Sequence, residues 1–328
     1  MKKFWTKIQE KHKSISTDLS NSNKYIPIAI ELPDSNNRYS SISQEAHYPV
    51  FTVAIGLFDV FMLIVIYIVQ GPVLTSDTWI SMGCKYVPCM KPLHSKIEQQ
   101  TYYPSLKAQC HEFLFPYQFF RFFIPIFLHS SISHLLSNLI YQALVGALLE
   151  DRRKYDIKTL GICYILFGFS GNIMSALWNP KSSKNRSREK KMMMIVSYVS
   201  ILVSIGASGA VYGLLIFCMI DNSLRIFTIT NIQDKIVQFL INLLVIPYFI
   251  TSIFFDVDSS GYTDHAAHIG GALVGLFVAM LLCDMPAFIL NFMPYGKRGI
   301  QILALTLIFA YISLTLCLFY LFTPIYLK

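Results

Sequence analysis

The chain has 328 residues, of which 54% are hydrophobic, 14% aromatic and only 14% charged, against about 25% charged in an ordinary soluble domain. That balance argues against a soluble enzyme and for one membrane-embedded helical body with no second globular module. The formal net charge of +8 does not point to nucleic acid, because the basic residues sit in short segments between apolar runs, as juxtamembrane anchors do.

Residues 1–47 are polar, with Lys2, Lys3, Lys7, Lys11 and Lys13 near the start and no early apolar stretch. They read as a cytosolic, disordered tail without a cleavable signal peptide. Glu10, Asp18, Glu31 and Asp34 argue against an organellar transit peptide. A bilayer core needs about 20 apolar residues per helix, and the first such run is Pro49 to Val69, interrupted only by Asp59.

A long loop, 71–118, follows. It holds Cys84, Cys89 and Cys110; an oxidising compartment would pair two of them and leave one over. A zinc site is the weaker reading, for want of four ligands at the usual spacing. Cys163, Cys218, Cys283 and Cys317 fall in apolar runs and read as small core residues.

The second span is expected over Ile132 to Leu149 and the third over Leu160 to Trp178. A basic insertion, 181–205, separates them from a fourth over Gly206 to Ile220. A fifth follows at Ile236 to Phe255, a sixth at His265 to Cys283, and a seventh at Ile300 to Phe322. The domain division is thus a tail (1–47), a six-helix core (48–284), and a linker with the seventh helix (285–328).

Seven spans put the termini on opposite sides. A cytosolic N-terminus keeps Arg152, Arg153, Lys154, Lys158, Lys297 and Arg298 inside, as the positive-inside rule prefers. The stretch Lys181 to Lys191 opposes this: it carries six Lys/Arg and would face outward. Asn185-Arg186-Ser187 in the same loop is a glycosylation sequon, usable only on the lumenal face.

Ser208 heads the fourth span within Gly206-Ala207-Ser208-Gly209-Ala210-Val211-Tyr212-Gly213. A serine inside a membrane helix is usually structural. At a helix start, however, unpaired N–H groups and the positive dipole end would stabilise an oxyanion. Histidines at membrane depth are costly and point to function. His134 opens the second span with Asn138 one turn later, and His265 and His268 open the sixth, three residues apart. A zinc centre built on these histidines ranks behind a serine nucleophile, since no His-Glu-x-x-His pattern occurs and Asp264 is the only nearby acid in the sixth-span group.

The ordered set resembles the rhomboid family. Its pieces are Arg121, Pro125, Phe127-Leu128-His129, His134-Leu135-Leu136-Ser137-Asn138, and Glu150 at the end of span two. Ser170-Gly171-Asn172-Ile173-Met174-Ser175-Ala176 follows on span three, then the Ser208 segment, Ala267-His268-Ile269-Gly270-Gly271 and Gly275. The resemblance covers about Phe120 to Cys283. It implies an all-α polytopic membrane protein with the rhomboid fold, here a six-helix core plus a seventh C-terminal transmembrane helix.

The resemblance also implies an intramembrane serine endopeptidase acting on single-span membrane proteins in the lipid bilayer, with no cofactor or metal. Ser208 would be the nucleophile and His268 the general base, a dyad without a third carboxylate. Tyr212 would pack on the His268 ring. His134, Asn138 and the Ser208 backbone N–H would form the oxyanion hole. Gly206 and Gly209 flank the nucleophile, Gly271 and Gly275 would let span six approach span four, and Arg121 and Glu150 are supporting family positions. The family often has Trp-Arg where Phe120-Arg121 stands, and its link between spans three and four is usually shorter and less basic. The alternative is an inactive rhomboid-like factor that binds membrane proteins and steers their trafficking. A secretory-pathway or plasma membrane is expected rather than the mitochondrial inner membrane, because there the family's extra span usually precedes the core.

Overall fold

The computed structural model describes residues 49–71, 74–91, 107–110, 113–150, 155–178, 203–240, 242–243 and 264–322. The N-terminal tail, the basic stretch 181–191 with its sequon, and most of the expected fifth span lie outside them.

The elements run, in order, α1 (Val50–Gln70), α2 (Ser76–Ser81), β1 (Lys85–Tyr86), α3 (Ile132–Glu150), α4 (Ile157–Leu177), β2 (Val203–Ser204), α5 (Ser208–Ile226), α6 (His265–Leu282), α7 (Ala287–Phe292) and α8 (Gly296–Phe322). Among the described residues six helices, α1, α3, α4, α5, α6 and α8, are long and apolar enough to cross a membrane. The protein is an all-α polytopic membrane protein.

α4, α5 and α6 pack on one another at the centre; α3 lies against α5, α1 against α3, and α8 against α6 and α4. α4 and α5 bury most of their length, whereas α1 and α8 turn most of theirs outward. Such outward apolar faces suit lipid, where the backbone must be satisfied within each helix. Phe167, Ala210, Leu214, Phe217, Val274 and Val278 lie in the main core. Cys163, Cys218 and Cys283 are buried there, but Cys317 is exposed on α8, correcting its reading as a core residue.

Helix ends follow local chemistry. Asp156 caps α4, accepting the Thr159 N–H at 2.9 Å, so that helix begins before the expected Leu160. α5 runs past the expected Ile220 because Asp221 is buried and paired rather than solvated. It accepts from Tyr155 Oη at 2.8 Å and from Arg225 Nε at 2.8 Å. The first turn of α1 is capped from afar: the Glu150 carboxylate accepts Phe51 N–H (3.0 Å), Thr52 N–H (2.7 Å) and the Thr52 hydroxyl (2.8 Å). This satisfies N–H groups that have no intrahelical partner.

The loop between α1 and α3 is built on the site end of the bundle. Arg121 is buried and donates to the carbonyls of Ile80 (2.9 Å), Cys84 (2.9 Å) and Cys110 (3.4 Å) and to Gln118 Oε1 (2.6 Å). One guanidinium, with its several donors in a fixed fork, thus draws together carbonyls from three parts of the loop. Cys89 and Cys110 form a disulfide, and Cys84 remains a buried thiol, its pKa pushed up to about 12 by burial. β1 pairs antiparallel with β2, Lys85 opposite Ser204 and Tyr86 opposite Val203. Lys91 is buried and donates from Nζ to the Phe319 carbonyl at 2.7 Å in the last turn of α8, where a cation meets an orphan carbonyl and the negative dipole end.

Candidate active site

Ser208 is the first residue of α5 and is half-buried. Tyr212 follows one turn later on the same face. Its ring stacks on that of His268, centroids 4.0 Å apart and planes 9° from parallel. His268 is buried in the first turn of α6, and its Nδ1 has no hydrogen-bond partner among the described residues.

Close helix approach makes this contact possible. A Cβ at Gly271 of α6 would overlap the Gly209 carbonyl oxygen of α5, and one at Gly275 would overlap the Gly213 carbonyl oxygen. A Cβ at Gly171 of α4 would lie 2.6 Å from the Ala267 carbonyl oxygen and 3.3 Å from Gly209 Cα. Three backbones therefore meet at a glycine junction beside Ser208 and His268, in the manner of small-residue faces in membrane bundles.

His134 and Asn138 stand one turn apart on α3. Gly206 has φ of 134°, and a Cβ there would lie 2.8 Å from His134 Cε1 and 2.9 Å from Nε2. Only a glycine fits, in both conformation and space. The Gly206 N–H donates to the Pro125 carbonyl at 2.9 Å, fixing the approach to Ser208. His134 Nδ1 pairs with the Ser130 hydroxyl at 3.0 Å. With the hydroxyl donating, Nε2 carries the proton beside Gly206. Asn138 is buried, and its Nδ2 has no partner among the described residues.

His129 is fully buried, its ring 5.4 Å from that of His134. Burial, then the neighbouring His134, lower its pKa to about 3, a backbone contact with Phe127 opposing them. The rings of His265 and His268 are 6.2 Å apart. Among the described residues no three His, Cys, Asp or Glu side chains group to hold a metal ion.

No role follows from the sequence for Lys85, Ser175 or Ser204, and Asp264 reads there only as a nearby acid. Lys85 Nζ pairs with Asp264 Oδ2 at 3.3 Å, Ser204 Oγ donates to the same oxygen at 2.5 Å, and Ser175 bridges Lys85 and Asp264. Asp264 Oδ1 accepts the Ala267 N–H at 3.1 Å as the N-cap of α6. No local pattern marks this cluster, because its members are spread over most of the described chain.

Residues 116–285, just over half of the chain, match the Rhomboid domain family. The chain is 29% identical over 183 residues to RHOMBOID-like protein 6, mitochondrial, of Arabidopsis thaliana (55% of this chain, 50% of that protein). It is 27% identical over 233 residues to Rhomboid-type serine protease 2 of Emericella nidulans (63% and 40%). With Rhomboid-related protein 1 of Caenorhabditis elegans it shares 32% over 164 residues (48% and 38%). The chain thus spans half or less of the length of these relatives. The matched stretch takes in Arg121, His134, Asn138, Ser208, Tyr212 and His268 together, and the chain belongs to the rhomboid family.

Proposed function

We propose that the chain is an intramembrane serine endopeptidase that cleaves single-span membrane proteins, with Ser208 as nucleophile and His268 as base. The observation that carries this reading is the His268 ring stacked on Tyr212, one turn from Ser208, where glycines bring α5 and α6 together.

His268 takes the Ser208 Oγ proton as Oγ attacks the scissile carbonyl carbon. The oxyanion meets three donors: His134 Nε2–H, Asn138 Nδ2 and the Ser208 backbone N–H at the α5 start. Each well-placed donor contributes about 3 kcal/mol. Collapse expels the amine, which takes the proton from His268. Water, deprotonated by the same imidazole, then hydrolyses the acyl-enzyme. Asp264 is engaged by Lys85, Ser175 and Ser204, so the stacked Tyr212 rather than a carboxylate orients the base. A substrate helix must unwind to reach Oγ, which favours sequences weak in helix propensity near the cut.

Placement in the secretory pathway or plasma membrane is supported by the Cys89–Cys110 disulfide at the site end, since disulfides persist in oxidising compartments. The name of one Arabidopsis relative is mitochondrial, and a glycan on Asn185 in the expressed protein decides for the secretory side. The functional test is cleavage of a single-span reporter by wild type, Ser208→Ala and His268→Ala. Loss in both variants supports the dyad. Undiminished processing by both refutes it, and a wild type that binds the reporter without cutting it is the inactive relative.

A further inference from the structure

On the protease reading above, Ser208 and His268 must be held in one relation, and the segments leading into α5 and α6 hold them. β2 ends at Ser204, four residues before Ser208; Asp264 stands four residues before His268. Lys85 joins both approaches. Its backbone pairs with Ser204 in the β1–β2 ladder, and its ammonium pairs with Asp264 Oδ2 at 3.3 Å. The Ser204 hydroxyl closes the triangle on the same oxygen at 2.5 Å, and Ser175 near the end of α4 bonds to both charged groups.

Asp264 acts on His268 through the backbone. Its second oxygen caps Ala267 N–H at 3.1 Å, and its carbonyl accepts the His268 N–H at 3.2 Å. A shift of Asp264 therefore moves the turn that carries the base. We propose that Lys85 is a positioning residue for the reaction, holding the starts of the Ser208 and His268 helices in one fixed relation through Ser204 and Asp264.

Lys85 is 2% exposed, whereas its partner Asp264 is 26% exposed. An ion pair with one partner buried adds little stability beyond what well-packed apolar residues would give, and the best-attested use of such pairs is to specify one geometry. Burial pushes the Asp264 carboxyl up, but Lys85, the two serine hydroxyls and the Ala267 N–H outweigh it and hold it well below the ordinary value. Lys85 also lies outside the matched family domain, in the loop braced by Arg121 and the disulfide. Through this pair, that loop holds both catalytic helices.

The test uses the purified full chain in liposomes with a single-span reporter. Active serines are titrated with a fluorophosphonate, so that turnover is counted per reactive Ser208. Lys85→Met and Asp264→Asn are each expected to lower kcat per titrated serine by roughly ten- to a hundredfold, with KM within about twofold. The double variant should be no worse than about the worse single one, because the two residues act as a unit. A purely structural role would reduce the number of titratable serines and leave turnover per serine unchanged; that result in Lys85→Met overturns the proposal. Where Lys85→Met gives too little folded protein, Asp264→Asn decides alone. Asparagine keeps a good helix cap while removing the ion pair, and wild-type turnover per serine there overturns the proposal equally. A wild type that neither cleaves nor labels at Ser208 refutes the protease reading and the positioning role together.

Discussion

Gly271→Ala is the sharpest probe of the glycine junction. The added Cβ overlaps the Gly209 carbonyl oxygen and lies 2.8 Å from Gly209 C and 3.3 Å from Gly209 Cα. All three are backbone atoms, so no rotamer change relieves the clash, and α6 must retreat from α5 by on the order of 1 Å. Overpacking of this kind costs about 3 kcal/mol at its upper end. Replacing a helical glycine by alanine returns at most about 1 kcal/mol. The net expectation is a loss of about 2 kcal/mol in stability. Turnover should fall further, because His268 sits one turn before Gly271 on the displaced helix, and a misplacement of about 1 Å costs about a hundredfold. Gly161→Ala is the control: its Cβ meets only Phe51 Cε2 at 4.0 Å, so propensity acts without a clash and stability should hold or rise. Thermal unfolding and reporter turnover of the two variants decide. A Gly271→Ala chain as stable and active as wild type, or a Gly161→Ala chain equally damaged, refutes the packing argument.

Three further outcomes are expected. The Cys89–Cys110 bond closes a loop of 21 residues, and Cys89→Ser with Cys110→Ser should lower stability by about 3 kcal/mol, seen as a lower Tm that reducing agent does not change further. Glu150→Gln leaves one oxygen for donors that two now serve; a loss of about 1–3 kcal/mol and faster amide exchange at Phe51 or Thr52 are expected. His129 gives a pH dependence. Its folded pKa of about 3 lies below the ordinary 6.5, so the unfolded chain takes up the proton first. The stabilisation is fully present above pH 6.5 and is lost as pH falls toward about 3, with a slope of up to about 1.4 kcal/mol per pH unit. Stability measured between pH 7 and 4 should fall less steeply in His129→Gln than in wild type.

What the sequence made legible follows interaction range. Apolar runs place α1, α3, α4, α6 and α8 to within a few residues, because a membrane helix satisfies its own backbone and needs only length and hydropathy. The polar residues at the end of α5 misled, since Asp221 and Arg225 look like loop residues until Tyr155, distant in sequence, buries one of them. Ser208, Tyr212 and His268 were singled out because helical spacing and ordered short motifs mark them. Lys85 and Ser204 were not, because the information that makes them partners is a two-residue ladder and an ion pair to Asp264, neither of which leaves a periodic trace. Three cysteines in one loop left the pairing open, and only their placement in the fold joins Cys89 to Cys110.

The same loop bears on membrane orientation. Charge counting treats every Lys and Arg alike, yet three of those described at the site end are not solvent cations: Lys85, Lys91 and Arg121 are each buried and bonded within the protein, and Lys107 is half-buried. At the opposite end Lys158, Lys297 and Arg298 are exposed, and Arg225 is half-buried. Only charges that face headgroups contribute to the positive-inside bias. Removing the three buried cations from the count leaves the exposed Lys and Arg of the described residues at the end away from Ser208. The basic stretch Lys181 to Lys191, which lies outside the described residues, still opposes a site that opens outward. The disulfide, the β1–β2 ladder and the Lys91 contact with the last turn of α8 all gather at the site end, where an oxidising exterior would preserve the first of them.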